Sequence, residues 1–284
     1  MLKKQQILVI GAVVILMAVL LSLNIKGLVK PSEEQAAGNQ PEAGAVAAGS
    51  PVYTVEQASE TARQDLNANL AQQIKELEAA HEGSSGKEQL DTEKKLAQKW
   101  DDVNKPAPAA FYYEMIAGKE SNLDNWLITG DRFTDAYQNT QDSLIQPALM
   151  QKATAAYQKA VELDKNSLDA RTGLGVAYVS GSGNPMQGIQ LLLAVVKEDP
   201  KNIKANMNLG LFSMKSGQFD KAVGRFKTVV AQKPDPEAWF YLASSYENQG
   251  MVDEAITAYL KCKELAADPS LGQFVDRKIK ELKK

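Results

Sequence analysis

Residues 209–234 read LGLFSMKSGQFDKAVGRFKTVVAQKP, and residues 242–269 read LASSYENQGMVDEAITAYLKCKELAADP. Laid over one another, Gly217 falls on Gly250, Ala222 on Ala255 and Phe226 on Tyr259, each pair 33 residues apart. An offset kept across a whole unit marks an internal repeat, and a period of this length corresponds to one helical hairpin stacked on the next. Leu209, Gly210, Phe219 and Pro234 complete the first unit, and Trp239, Leu242, Ala243 and Tyr246 complete the second. An earlier unit runs through Leu174, Gly175, Tyr178, Gly188, Leu192, Val195 and Pro200, with one extra residue in the loop 181–185. Gly175, Gly210 and Ala243 are expected where a first helix approaches its partner, and Gly188, Ala222 and Ala255 are the matching small residues of the second helices. Larger side chains there would force the helices apart, at about 1–3 kcal/mol each.

On these residues the chain from Asn122 onward resembles the tetratricopeptide repeat family. That pattern carries Trp, Leu-Gly and Tyr on a first helix, then Ala, an aromatic, Ala and Pro on a second, in about 34 residues. Trp126, Gly130 and Phe133 match the first-helix spacing. Ala153, Tyr157, Ala160 and Asp164 match the second helix but arrive late, which predicts a longer first helix or an extended connection in that unit. The resemblance implies an all-α solenoid over residues 122–269, covered by a capping helix over 270–284 with Leu271, Phe274, Val275, Ile279 and Leu282 on its apolar side.

The resemblance also implies a non-catalytic scaffold or adaptor that binds a protein through an inner groove lined by the first helices. The groove residues expected here are Lys204, Met207, Asn208, Leu211, Met214, Lys215, Phe240, Tyr241 and Ser244, with Thr172, Val176 and Glu237 beside them. Some members hold C-terminal carboxylates with a cluster of Lys, Arg and Asn. Only Asn208 fits such a clamp, since Thr172, Val176, Glu237 and Tyr241 stand at its other positions. What remains is apolar: Met207, Leu211, Met214 and Phe240, flanked by Asn208, Lys215 and Ser244. Such a surface suits an amphipathic helix or an extended apolar peptide. The competing reading buries these side chains against neighbouring helices or a second copy of the chain.

A second signal lies at the amino terminus. Ile7 to Leu23 carries no charge, and the stretch to Ile25 just spans roughly 30 Å of hydrocarbon at about 1.5 Å per residue. Residues 22–26, Ser-Leu-Asn-Ile-Lys, lack the small-x-small pattern of a cleavage site, so residues 1–28 are expected to be an uncleaved transmembrane anchor. No cysteine follows the run, which argues against a lipid-modified anchor. Lys3 and Lys4 nearly balance Lys26 and Lys30, and with the short tail the amino terminus is expected in the cytoplasm. In a Gram-negative cell the expectation is a single-pass inner-membrane protein with a periplasmic C-terminal domain. Residues 29–52, rich in Ala, Gly, Glu and Gln, are expected to form a flexible tether. The layout resembles anchored repeat proteins that assist cytochrome assembly or accompany the secretion translocon.

Residues 53–121 form a further helical region. Thr54 to Gln57 has the form of a capping box, and Val55, Ala58, Ala62, Leu66, Leu70, Ile74 and Leu77 predict one long amphipathic helix to Gly83. The turn Gly83-Ser84-Ser85-Gly86-Lys87 is not a phosphate loop, because Glu88 stands where Ser or Thr is needed. Leu90, Leu96, Trp100 and Val103 predict another helix, ended by Pro106 and Pro108, and Ala109–Ala117 a third, with Phe111, Tyr112, Met115 and Ile116 buried. The alternative function, a self-associating structural component of the cell envelope, would use the helix Thr54 to Ala80 as its contact.

Catalysis has little to work with. His81 is the sole histidine and reads as a solvated residue at a helix end, while Asp101-Asp102, Glu33-Glu34 and Asp253-Glu254 read as charged surface. The lone Cys262 cannot make an internal disulfide or a thiolate metal site. No cofactor or metal is expected. With 32 basic and 35 acidic side chains the formal charge is −3, which provides no general attraction for nucleic acid.

Overall fold

The computed structural model describes residues 53–181 and 184–284. The expected anchor over 1–28 and tether over 29–52 lie outside the described residues. Among those described there are 13 helices and no strand. They are α1 (Val55–Arg63), α2 (Ala68–Glu82), α3 (Gly86–Asp102), α4 (Pro106–Lys119), α5 (Leu123–Asn139), α6 (Gln146–Leu163), α7 (Leu168–Gly181), α8 (Pro185–Glu198), α9 (Ile203–Lys215), α10 (Phe219–Val230), α11 (Pro236–Asn248), α12 (Val252–Leu265) and α13 (Pro269–Leu282).

From α5 onward the helices pair as α5/α6, α7/α8, α9/α10 and α11/α12, and each hairpin packs on the next. The close approaches fall where the small residues stand. A Cβ on Gly188 would lie 2.4 Å from the carbonyl oxygen of Gly175, and one on Gly210 would lie 2.6 Å from the Phe226 ring. The Gly188 contact is with backbone, which cannot swing away. Gly217 and Gly250, one repeat apart, adopt φ of 71° and 73° and turn the chain from first helix to second, a conformation that a side chain would strain. Phe226 and Tyr259 are buried completely or nearly so in the core that α10–α13 share. The late second helix of the α5/α6 unit has two causes: both helices are long, at 17 and 18 residues, and a connection from Thr140 to Ile145 separates them.

In residues 53–121 several expectations are corrected. The predicted single helix to Gly83 is two helices. Its first turn is capped as expected, Thr54 and Gln57 satisfying each other's backbone N–H, but the helix stops at Arg63. A new one begins after Asn67, whose side chain accepts from the Leu70 N–H at 3.0 Å. An Asn that can cap competes with continuing the helix. Pro106 opens α4 as its first residue instead of merely ending α3, because a missing N–H is harmless in a first turn. The turn between them passes through Asn104 at φ 53°.

His81 is not solvated. Its Nε2 lies 3.0 Å from Oε1 of Glu93, a carboxylate that is 1% exposed, and its ring meets Tyr112 edge-on at 5.9 Å. Lys119 of α4 donates to the same Oε1 at 2.7 Å. Asp101 is likewise no idle surface charge, since Arg132 of α5 grips both its oxygens at 2.7 and 3.0 Å and the Tyr113 hydroxyl donates to it at 2.9 Å. Helical periodicity misses such pairs because it registers apolar faces and not the long-range partners of charges. The predicted buried residues of α4 are largely in place: Phe111, Tyr112 and Ile116 are buried, and Met115 is partly so. Among the described residues no helix is long and apolar enough to cross a membrane.

Candidate protein-binding groove

Helices α5, α7, α9 and α11 touch one another along the stack, in addition to their own hairpin partners. First helices that meet in this way form the inner row of a curved solenoid, and their free faces line its concave side. At 3.6 residues per turn, Met207, Leu211 and Met214 share one face of α9, while Asn206, Leu209 and Ser213 share the opposite one. The first set faces the groove.

Met207, Leu211 and Met214 are partly buried and lean on the core formed by α10–α13. Phe240 and Tyr241 of α11 do the same. These five side chains are therefore neither free nor wholly internal: each has one side in the core and one at the surface. Tyr241 stacks on Phe226 with centroids 5.6 Å apart and planes at 25°, so its ring is a wall between core and groove. Burial, with the charge of Glu237 nearby, pushes its hydroxyl up to about 12 and keeps it protonated.

The polar rim is only partly occupied. Asn208 donates to the Lys204 carbonyl at 2.8 Å, and Asn248 donates to the Ser244 carbonyl at 2.8 Å. Lys204 is exposed, with Nζ 3.8 Å from Asp169 of α7, and Lys215 is exposed at the end of α9. Ser244, on the same helix as Phe240 and Tyr241, is half-buried. Thr172, expected beside the groove, is instead 3% exposed. It sits inside the stack.

Sequence reasoning missed one contributor. Phe274 of the capping helix lies 5.9 Å from Phe240, centroid to centroid, and remains 37% exposed. Phe240 thus stands in a cluster with Tyr241, Tyr259 and Phe274, all within 5.9 Å. The signal was present: Asn208, Tyr241 and Phe274 are spaced by the same 33 residues, so α13 occupies the place of another first helix. It is pinned there by Glu247 of α11, which accepts from the Tyr259 hydroxyl at 2.7 Å and from Lys278 at 3.0 Å. Val275 and Ile279 of α13 are buried beneath it. No cluster of His, Cys, Asp and Glu suited to a metal ion occurs among the described residues.

A tetratricopeptide repeat family model matches residues 213–270, which covers α10–α12 with the turns at Gly217 and Gly250. Superkiller complex protein 3 of Mus musculus is 26% identical over 135 residues, 46% of this chain, and the chain spans 8% of that protein's length. Among solved structures, a thermophilic TPR protein of Thermus thermophilus superposes with a TM-score of 0.53 at 20% identity, covering 66% of this chain and 97% of its own. YrrB, a TPR protein with an unusual peptide-binding site, is similar at a TM-score of 0.43 and 16% identity, covering 66% of this chain and 91% of its own. The fold is an all-α solenoid of the tetratricopeptide kind.

Proposed function

We propose that this protein is a membrane-tethered adaptor that holds a protein partner against the inner face of α9, α11 and α13. The carrying observation is the row Met207, Leu211, Met214, Phe240 and Phe274, apolar side chains that stay half-open on consecutive first helices. An apolar face of an amphipathic helix, or an extended apolar segment, fits this row better than a charged tail does. Two reasons support that choice: methionines adapt to irregular shapes, and Lys204 lies toward Asp169. The uncharged run Ile7–Leu23 supports an anchor, and the Ala, Gly, Glu and Gln-rich residues 29–52 support a tether of some reach between bilayer and groove. On this reading the repeat domain lies outside the cytoplasm.

Photo-crosslinking in the native membrane from residues introduced at Leu211 and Phe240 tests it. Adducts with the same partner at both positions, lost in the double variant Leu211→Asp and Phe240→Ser, are the expected result. Crosslinks only to the protein itself would sink it. Self-association through residues 54–80 is the less supported reading, because Ala58, Ala62 and Ile74 are buried within the chain's own fold. A dimer through that region would have to use the opposite, charged faces of α1 and α2.

A further inference from the structure

On the far side of α9 from the groove, between α8 and α10, lies a cleft of about 450 Å³. Its walls are apolar on the α8 side, with Ile189, Leu193 and Val196, and Phe212 of α9 forms part of the floor. The α10 side is different: Lys221 and Arg225 stand there, with Gly224 between them adding no side chain. The cleft lies along the junction of α8 and α9, which pack more sparingly than α6 on α7 or α10 on α11.

Arg225 is the informative residue. Arg63, Arg132 and Arg171 each pair with a carboxylate, Glu78, Asp101 and Glu198 respectively, and Arg277 lies over the Phe274 ring. Arg225 is half-buried and, among the described residues, makes one hydrogen bond only, to Oδ1 of Asn206 at 3.1 Å. Asn206 is 1% exposed, and its amide donates to the Pro200 and Asn202 carbonyls, so its oxygen is held toward the guanidinium. A guanidinium has five donors, which leaves most of them for another group. Lys221 is also held by a neutral partner, the side-chain oxygen of Gln218 at 2.5 Å.

The repeat itself provides a control. The equivalent cleft one unit later, about 340 Å³, is lined by Trp239, Tyr246, Glu254, Thr257 and Ala258. These stand 33 residues after Asn206, Ser213, Lys221, Gly224 and Arg225. The scaffold is the same, but Trp239 and Tyr246 stand in place of Asn206 and Ser213, Glu254 in place of Lys221, and Ala258 in place of Arg225. Lys227 lines that cleft, with its ammonium over the Tyr246 ring.

We propose that the cleft between α8 and α10 is a second docking site, for a protein segment that carries a carboxylate beside an aliphatic side chain. The carboxylate meets Arg225 and Lys221, and the aliphatic group enters between Leu193 and Phe212. Charge complementarity selects this occupant: the two cations lack acidic partners, and the walls opposite them offer nothing to a purely ionic ligand. The site lies behind the groove, so one chain would hold two segments at once.

The test uses the detergent-solubilised full chain and an array of synthetic peptides of about ten residues that permute Asp and Glu against Leu, Ile and Met, each with a free or an amidated C-terminus. Acidic-aliphatic peptides are expected to bind. Affinity should fall about tenfold or more in Lys221→Glu with Arg225→Glu, and recover for peptides with Lys in place of the acid. Glu254→Lys in the neighbouring cleft should change little. Amidated peptides are expected to bind as well as free ones, because the carboxylate is that of an Asp or Glu side chain; loss of binding on amidation overturns the proposal. Circular dichroism melts of Arg225→Gln separate misfolding from lost contact. Unchanged binding in the double variant, or competition by inorganic phosphate equal to that by peptide, overturns the proposal. So does loss of array binding in Leu211→Asp with Phe240→Ser but not in the Arg225 variant, an outcome that leaves the concave-groove reading intact.

Discussion

The two ends of the stack are held together by different chemistry. In α9–α12 the contacts repeat: Gly210 meets the Phe226 ring, and Phe226 and Tyr259 fill equivalent places one unit apart, with ion pairs confined to exposed or half-exposed sites. In α1–α5 an apolar core around Trp100, Tyr112 and Ile116 is joined by charges that pair across the sequence, His81 and Lys119 with the buried Glu93, Arg132 with Asp101, and Arg63 with Glu78. Where the repeat is regular, each unit inherits a complementary surface from its neighbour. Where it is not, specific polar pairs fix which helix meets which, because apolar faces alone do not choose a register.

This contrast can be broken most severely at Phe226. Phe226→Ala leaves a cavity in a site with no exposure and should cost roughly 3–5 kcal/mol. Urea unfolding of the full chain in detergent would measure it. Hydrogen exchange should show α9–α12 opening while α1–α4 stay protected, since neighbours in a solenoid are coupled only locally. Equal deprotection of both ends would mean that they form one cooperative unit. Gly188→Ala should cost about 2 kcal/mol by the same measurement, because its Cβ meets a carbonyl that cannot move aside. Glu93→Gln keeps the shape but removes the charge that faces Lys119 and His81, and about 1.5 kcal/mol should be lost. If that loss is absent, the ionic pairs do not hold α2, α3 and α4 together. Thr54→Ala removes the first-turn cap, at about 1 kcal/mol, and should speed exchange in α1 alone. Smallest of all, Lys261→Ala breaks an exposed pair with Glu264 and should shift the midpoint by less than about 0.5 kcal/mol.

The same contrast explains what could be read beforehand. The hairpins of α7–α12 were legible because their landmarks recur at fixed spacing, and a glycine that clashes at Gly188 is visible as a glycine in the chain. The groove was legible as a set of positions on α9 and α11. Its extent was not: Phe274 looked like a capping residue until α13 proved to sit in register as a first helix against Phe240. The break between α1 and α2 was hidden because its apolar spacing continues smoothly through Leu66 and Leu70, and only the cap at Asn67 interrupts it. His81 was misread because its partner Glu93 lies on the next helix, beyond any local pattern.

The chain by itself determined that hairpins of about 33 residues stack, since periodic small and apolar residues dictate which helix faces must meet. Only the tertiary structure decided which charges pair, which rings stay open in the groove and which cleft leaves Arg225 without an acid. Those outcomes depend on distances between residues far apart in sequence. A short-period pattern carries no information about them.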